Sequence, residues 1–127
     1  MIDIGYFKKI NDTYGHDNGD KVLKTFVKMI KRNIRENDLF AIIGGEEFVI
    51  LTKIDNKEQL FTFAQKISKL TKELKIFAKG KNIQFTISIG GYIFDHSKET
   101  LDYALKKADE ALYKAKEKRD SIVIFEG

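Results

Sequence analysis

Asp3, Glu46 and Glu47 are the acidic residues whose neighbours point to chemistry rather than to ordinary solvation. Glu46 and Glu47 follow the Gly44–Gly45 pair inside "DLFAIIGGEEFVILT", Asp38 to Thr52, so charge stands at the tip of two apolar runs. A glycine pair between such runs reads as a hairpin turn, because glycine accepts both positive-φ positions of a tight primed turn. That accounts for the glycines, while the acids are either solvated turn residues or functional ones. Asp3 stands at the end of a short strand, and if that strand neighbours the hairpin, Asp3 and Glu46 can share a divalent cation. Mg²⁺ takes oxygen ligands, typically one or two carboxylates plus substrate phosphates. The turn glycines would let a phosphorylated ligand approach the backbone, and N–H groups after Gly5 would meet its oxygens. Lys8 is either a solvated lysine or a positive charge on a phosphate undergoing transfer.

Asn11 offers both an amide donor and an acceptor, and Asp20 is an acceptor suited to the paired N1–H and N2–H donors of guanine. Adenine lacks that pair, so guanine is favoured. Asn11, Asp12 and Asp20 equally suit turns and a helix cap, and His16 suits a turn.

Positioning these residues requires elements in order. Met1 to Ile4 reads as the tail of a strand, followed by "GYFKKINDTYGHDNGD", a segment with turn residues at both ends. From Asp20 to Ile34, Val22, Leu23, Phe26, Val27, Ile30 and Ile34 keep helical spacing, with Asn18 as a candidate cap. After the hairpin, Asp55 and Glu58 have capping-box spacing ahead of a helical stripe from Leu60 to Leu74. "IQFTISIGGYIF" alternates Ile83, Phe85, Ile87 and Ile89 against polar residues, the period of a half-buried strand. Leu101 to Ala115 forms a third helical stripe rich in alanine, and "SIVIF" closes as a strand. The expected fold is therefore α/β, a mixed central sheet with helices packed over it and an antiparallel hairpin. Ligand sites in such sheets gather at strand ends, so Asp3, the loop to Asp20 and the glycine turn are expected to converge.

The chain has 127 residues, 43% of them hydrophobic and 33% charged, a composition for one ordinary core. No apolar run approaches the length needed to span a bilayer, and no signal-peptide pattern opens the sequence. A cytoplasmic location is expected. Cysteine is absent, which excludes disulfides and thiolate metal sites. The net charge of +4 and pI of about 9.1 favour anionic partners. Lysines are spread through every helix, and no aromatic and basic stacking platform for nucleic acid is evident, so a small phosphorylated ligand is preferred.

"DIGYFKKINDTYGHDNGDKVL", "IIGGEEF", "ISIGGYIF" and "ADEALYKAK" occur in that order, and together they resemble the GGDEF-domain diguanylate cyclase family, here with a GGEEF turn. The resemblance runs from Met1 to about Val123. It implies a single domain over residues 1–127 that lacks the family's usual N-terminal segment, with its "LTGLxNR" helix. It also implies condensation of two GTP into cyclic di-GMP and two pyrophosphate by a homodimer, with Mg²⁺ or Mn²⁺ as cofactor. By position, Asp3, the Ile4 carbonyl, Glu46 and Glu47 would serve the metal, and Glu46 would accept the proton. Asn11, His16 and Asp20 would contact guanine or ribose, with Gly44 and Gly45 lining the substrate. Lys8 would support the transition state and Lys116 a phosphate. Arg35 and Asp38 form the R-x-x-D pair at which product-inhibited members bind cyclic di-GMP, and a sensory or regulatory domain is a further implied partner.

Three places depart from the pattern, at five positions: Gly5 replaces the second aspartate of "D-x-D", Ile42 replaces a common arginine, and "RDS" at Arg119 to Ser121 replaces "GRN". The last puts Asp120 where a phosphate-binding arginine is expected, unless a backbone shift lets Arg119 take over. A catalytically degenerate module that binds cyclic di-GMP or GTP is the alternative reading.

Overall fold

A computed structural model describes residues 1–126. Its centre is a five-stranded mixed sheet in the order β2-β3-β1-β6-β7. β1 (Ile2–Ile4) lies between β3 (Glu47–Leu51) and β6 (Ile87–Gly91), antiparallel to both. β2 (Leu39–Gly44) is the hairpin partner of β3 at one edge, and β7 (Ile122–Ile124) runs parallel to β6 near the other. Residues directly opposite one another in a sheet share a face. Ile2 therefore shares one face with its partners Phe48 and Ile89, while Asp3 shares the other with Glu47 and Ser88.

Helices cover both faces. α2 (His16–Asn33) sends Phe26 to the Ile2 face, where its ring lies 5.1 Å from Phe48 and 6.2 Å from Phe85. Phe26 and Phe48 are fully buried, and truncating such a side chain to alanine costs about 3–5 kcal/mol. α3 (Lys57–Lys72) packs on the same layer, with Leu60 against Gly91. α4 (Leu101–Lys118) covers the Asp3 face. Its alanines, as the small-residue stripe anticipates, let it lie directly on the strand: a Cβ on Gly90 would overlap Ala108 O and Leu112 N.

Several boundaries differ from expectation. The segment before Asp20 is not a loop: α1 (Phe7–Tyr14) occupies it, and α2 begins at His16. Phe7, Ile10 and Tyr14 recur at helical spacing, and Gly15, at φ 90°, breaks the two helices apart. Asn18 is no cap, since its Nδ2 donates to Tyr14 O at 2.7 Å from inside α2. The capping box of α3 is shifted by one residue. Asn56 Oδ1 accepts from Gln59 N at 2.9 Å, and Gln59 Oε1 accepts from Asp55 N at 3.1 Å. The strand expected from Ile83 is ordered as β6 only from Ile87, and it is buried on both faces because α3 and α4 sandwich it. Before it lies a small hairpin, β4 (Phe77–Ala78) and β5 (Lys81–Asn82), turning through Lys79 and Gly80 at positive φ. Among the described residues no helix is long and apolar enough to cross a membrane.

Candidate active site

Asp3 projects from the middle of the sheet toward α4, with only 5% of its side chain exposed. A buried carboxylate is costly unless it is paired. Two cations meet it: Lys116 Nζ lies 3.2 Å from Oδ2, and Arg119 Nη1 lies 3.2 Å from Oδ1. Both come from the C-terminal end of α4. The hairpin tip is held beside Asp3 by Ile4 N, which donates to Glu46 O at 3.1 Å. Asp3, Ile4, Lys8, Glu46, Lys116 and Arg119 thus line one polar cleft of about 470 Å³. A larger cavity of about 770 Å³, walled mainly by apolar residues such as Leu60, Phe63 and Leu105, lacks such a meeting of carboxylates and cations. The smaller cleft is where phosphate and metal chemistry fits.

The remaining candidates distribute around it. Glu47 is the register partner of Asp3, on the Asp3 face of the sheet. The hairpin turn falls on Gly45 and Glu46, because a bulge between Ile42 and Gly44 shifts the register so that Gly44 pairs with Glu47. Neither glycine takes positive φ, contrary to the expected primed turn. A Cβ at Gly44 or Gly45 would meet nothing within 4 Å, so the chain itself places no steric demand for glycine there.

Gly5 N is spent on Thr86 O at 2.9 Å, so it is not free for a phosphate. The free donors come one turn later. The first bond to the α1 N-cap runs from Ile10 N to Tyr6 O, which leaves Phe7, Lys8 and Lys9 N–H without helical partners at the cleft wall. Lys9 and Asp12 also line the cleft, and a helical reading of "FKKINDTY" would have revealed them; Tyr6, the residue before that segment, lines it too.

Asn11, His16 and Asp20 lie where α1 meets α2. Asn11 Oδ1 is buried with no hydrogen-bond partner, and it lies against Gly19, where a Cβ would overlap it. His16 and Asp20 are exposed in the first turns of α2.

Arg35 and Asp38 lie at the other end of the hairpin. Arg35 Nη2 donates to Thr52 Oγ1 at 2.8 Å and to Lys53 O at 2.6 Å. Asp38 accepts from Arg35 N and from Thr52 Oγ1, each at 2.8 Å.

The departures have local causes. Gly5 is pressed on Thr86, whose Oγ1 and O would lie 3.2 and 3.3 Å from an added Cβ, so a larger residue must displace it. Ile42 is exposed on the edge strand β2. Asp120 points away from the cleft to Lys72, 2.8 Å away, while Arg119 faces Asp3.

Among the described residues no three His, Cys, Asp or Glu side chains are gathered to hold a metal ion by themselves. Asp3, Ile4 and Glu46 nonetheless line one cleft, which fits a hard cation that draws further oxygens from substrate and water.

The family model "Diguanylate cyclase, GGDEF domain" matches residues 1–121. The chain belongs to the GGDEF domain family. Diguanylate cyclase A of Treponema denticola is 41% identical over 117 residues, covering 92% of this chain and 32% of that protein. The chain thus spans about a third of that relative's length. Among solved structures, the active GGEEF domain of a Vibrio cholerae diguanylate cyclase superimposes with a TM-score of 0.87 at 31% identity, covering 99% of this chain and 80% of that one. The GGDEF domain of DgcB from Caulobacter crescentus, solved with c-di-GMP, gives a TM-score of 0.89 at 28% identity, over 99% and 75%.

Proposed function

We propose that the chain is a diguanylate cyclase module that binds GTP with Mg²⁺, or Mn²⁺ in its place, in the Asp3–Glu46 cleft. The observation that carries this reading is the meeting of Asp3, Glu46, Lys8 and Lys116 around one cleft beside free helix N–H groups. Asp3, the Ile4 carbonyl and Glu46, with Glu47 adjacent, would hold the cation. The cation, when bound, supplies Lewis-acid polarisation of phosphate oxygens. Phosphate oxygens would be received by Phe7, Lys8 and Lys9 N–H, by the Lys8 ammonium and by Lys116, which stabilise charge as it shifts in the transition state. Open space at Gly44 and Gly45 admits the nucleotide to the backbone. Asn11 Oδ1, buried without a donor, and Asp20 beyond it would take guanine N–H groups, with His16 toward the base or ribose.

The 3′-oxygen of one GTP bonds to the α-phosphorus of the other. The bond from that phosphorus to the bridging oxygen breaks, pyrophosphate leaves, and the hydroxyl proton passes to the Glu46 carboxylate. A second, reciprocal attack closes cyclic di-GMP. One cleft holds one GTP, so the reaction calls for two copies facing each other, a homodimer. In a longer protein such a module would be governed by an attached sensory or regulatory domain. Incubation with GTP and Mg²⁺ followed by chromatography is expected to give cyclic di-GMP with a rate per chain that rises with protein concentration. No product at any concentration overturns catalysis.

Gly5, in place of the second aspartate of the D-x-D pair, favours a second reading in which the module binds nucleotide without turnover. Calorimetry that gives tight cyclic di-GMP binding beside an inert GTP assay selects it.

A further inference from the structure

The backbone turns sharply where α4 ends. Arg119 sits at φ 58°, ψ 162°, and Asp120 follows at φ 45°. Side-chain-bearing residues rarely adopt such conformations. Arg119 borders the region left almost entirely to glycine, and strain of this kind persists where the surroundings over-determine it, often at ligand clamps. The two strained residues send their side chains apart. Asp120 goes to Lys72, and Arg119 goes into the cleft, with its guanidinium 3.2 Å from Asp3 and stacked 5.2 Å over the Tyr6 ring. Tyr6 is itself the N-cap of α1, so Arg119 rests within the cleft that the free N–H groups of α1 border.

We propose that Arg119 is the phosphate-binding arginine of this chain and that, together with Lys116, it forms a latch on Asp3 which a metal-bound nucleotide releases. The proposal rests on the reading of the cleft as a metal–GTP site. Its physical basis is competition for one carboxylate. With the cleft empty, buried Asp3 needs both cations. A divalent cation that takes Asp3 as ligand repels an ammonium and a guanidinium placed against the same oxygens, and it removes the charge they were neutralising. Both are then free for the triphosphate, which a planar guanidinium grips with two parallel hydrogen bonds. Tyr6 keeps the guanidinium in the cleft during the transfer. The strained turn is what brings an arginine at position 119, rather than one at position 120, into reach.

Competition of this form has a signature that a purely structural contact lacks: the arginine opposes the metal alone and assists the metal with nucleotide. Arg119→Gly is the informative variant, because glycine suits the backbone at this position and removes the side chain without new strain. The measurements are Mn²⁺ binding by electron paramagnetic resonance and, by calorimetry, binding of a GTP analogue with a methylene bridge between its α- and β-phosphates, with and without Mg²⁺. Arg119→Gly is expected to bind Mn²⁺ alone several-fold more tightly and the Mg²⁺ analogue about ten-fold more weakly, with metal-free analogue affinity changed less than either. Arg119→Lys is expected to recover only part of the Mg²⁺-analogue affinity, since it restores charge without the fork. Unchanged or tighter Mg²⁺-analogue binding by a folded Arg119→Gly, beside normal binding by the parent chain, overturns the latch and leaves the nucleotide reading standing. If the parent chain itself fails to bind the analogue with Mg²⁺, the nucleotide reading fails and the latch with it.

Discussion

The hairpin of β2 and β3 carries charge at both ends, and the two ends use it differently. At the tip, Glu46 stands over a cleft with Lys8 exposed nearby, and open space surrounds the positions a Cβ would take at Gly44 and Gly45. At the base, Arg35, Asp38, Thr52 and Lys53 satisfy one another through bonds of 2.6–2.8 Å. A ligand arriving at the tip contests only the ion pairs of Asp3, whereas one arriving at the base must compete with the bonds that both Arg35 and Asp38 already make. The difference teaches that a motif's chemistry depends on what its side chains are already doing. R-x-x-D in this chain is a clasp on the strand ends before it is anything else.

Breaking the tip should have the largest effect. Glu46→Ala removes the proposed metal ligand and proton acceptor together, and cyclic di-GMP formation is expected to fall below detection, at least about 100-fold, given the usual contribution of a positioned acid or base. Chromatography of the GTP reaction measures it, and product at the parent rate would remove Glu46 from the chemistry. Asp20→Ser comes next. Losing the proposed charge-assisted contact to guanine should weaken GTP by about 1.5–3 kcal/mol and leave ATP nearly unchanged. An unaltered ratio of the two dissociation constants would make Asp20 merely a residue of the first turns of α2.

At the base, Arg35→Ala deletes the donors to Thr52 and Lys53 O, and a loss of about 1 kcal/mol in denaturant unfolding is expected. For a cyclic di-GMP site at R-x-x-D of the kind the family resemblance implies, affinity should fall with it by at least about ten-fold, the effect of losing a charge-assisted contact. Calorimetry reporting an unchanged constant would confine Arg35 to its structural task. The smallest effect belongs to Lys72→Ala. The Lys72–Asp120 pair is half exposed, so stability should change by no more than about 0.5 kcal/mol and GTP-analogue affinity should hold. A large loss of affinity would mean that the pair, not the backbone, steers Arg119.

Periodicity and motif order carried much of this into view from sequence. The α/β class, the mixed sheet with its hairpin and the stripe of α4 follow from apolar spacing, because burial on one face leaves a regular trace. The approach of Asp3 to Glu46 was legible from strand order, whereas the arrival of Lys116 was legible only through family resemblance, since no local rule places residue 116 beside residue 3. Two kinds of feature escaped. α1 was hidden because its eight residues hold only about two turns of stripe, crowded with Asn, Asp and Lys, types that also make turns. The bulge in β2 was invisible because register depends on partners across the sheet. Arg119 lay between the two: its identity was plain, while its direction was set by two positive-φ residues that composition does not announce.

Gly90 links these observations. By letting the backbone of α4 rest on β6, its missing side chain fixes how far the helix stands above the sheet. Lys116 and Arg119 are carried at the end of that helix, and they reach Asp3 from it. The charge balance of the cleft is therefore gauged by an interlayer distance set far inside the core. An evolutionary or engineered change that thickens the layer by one methyl group would retune how strongly the cleft holds cations, with every residue lining it left as it was.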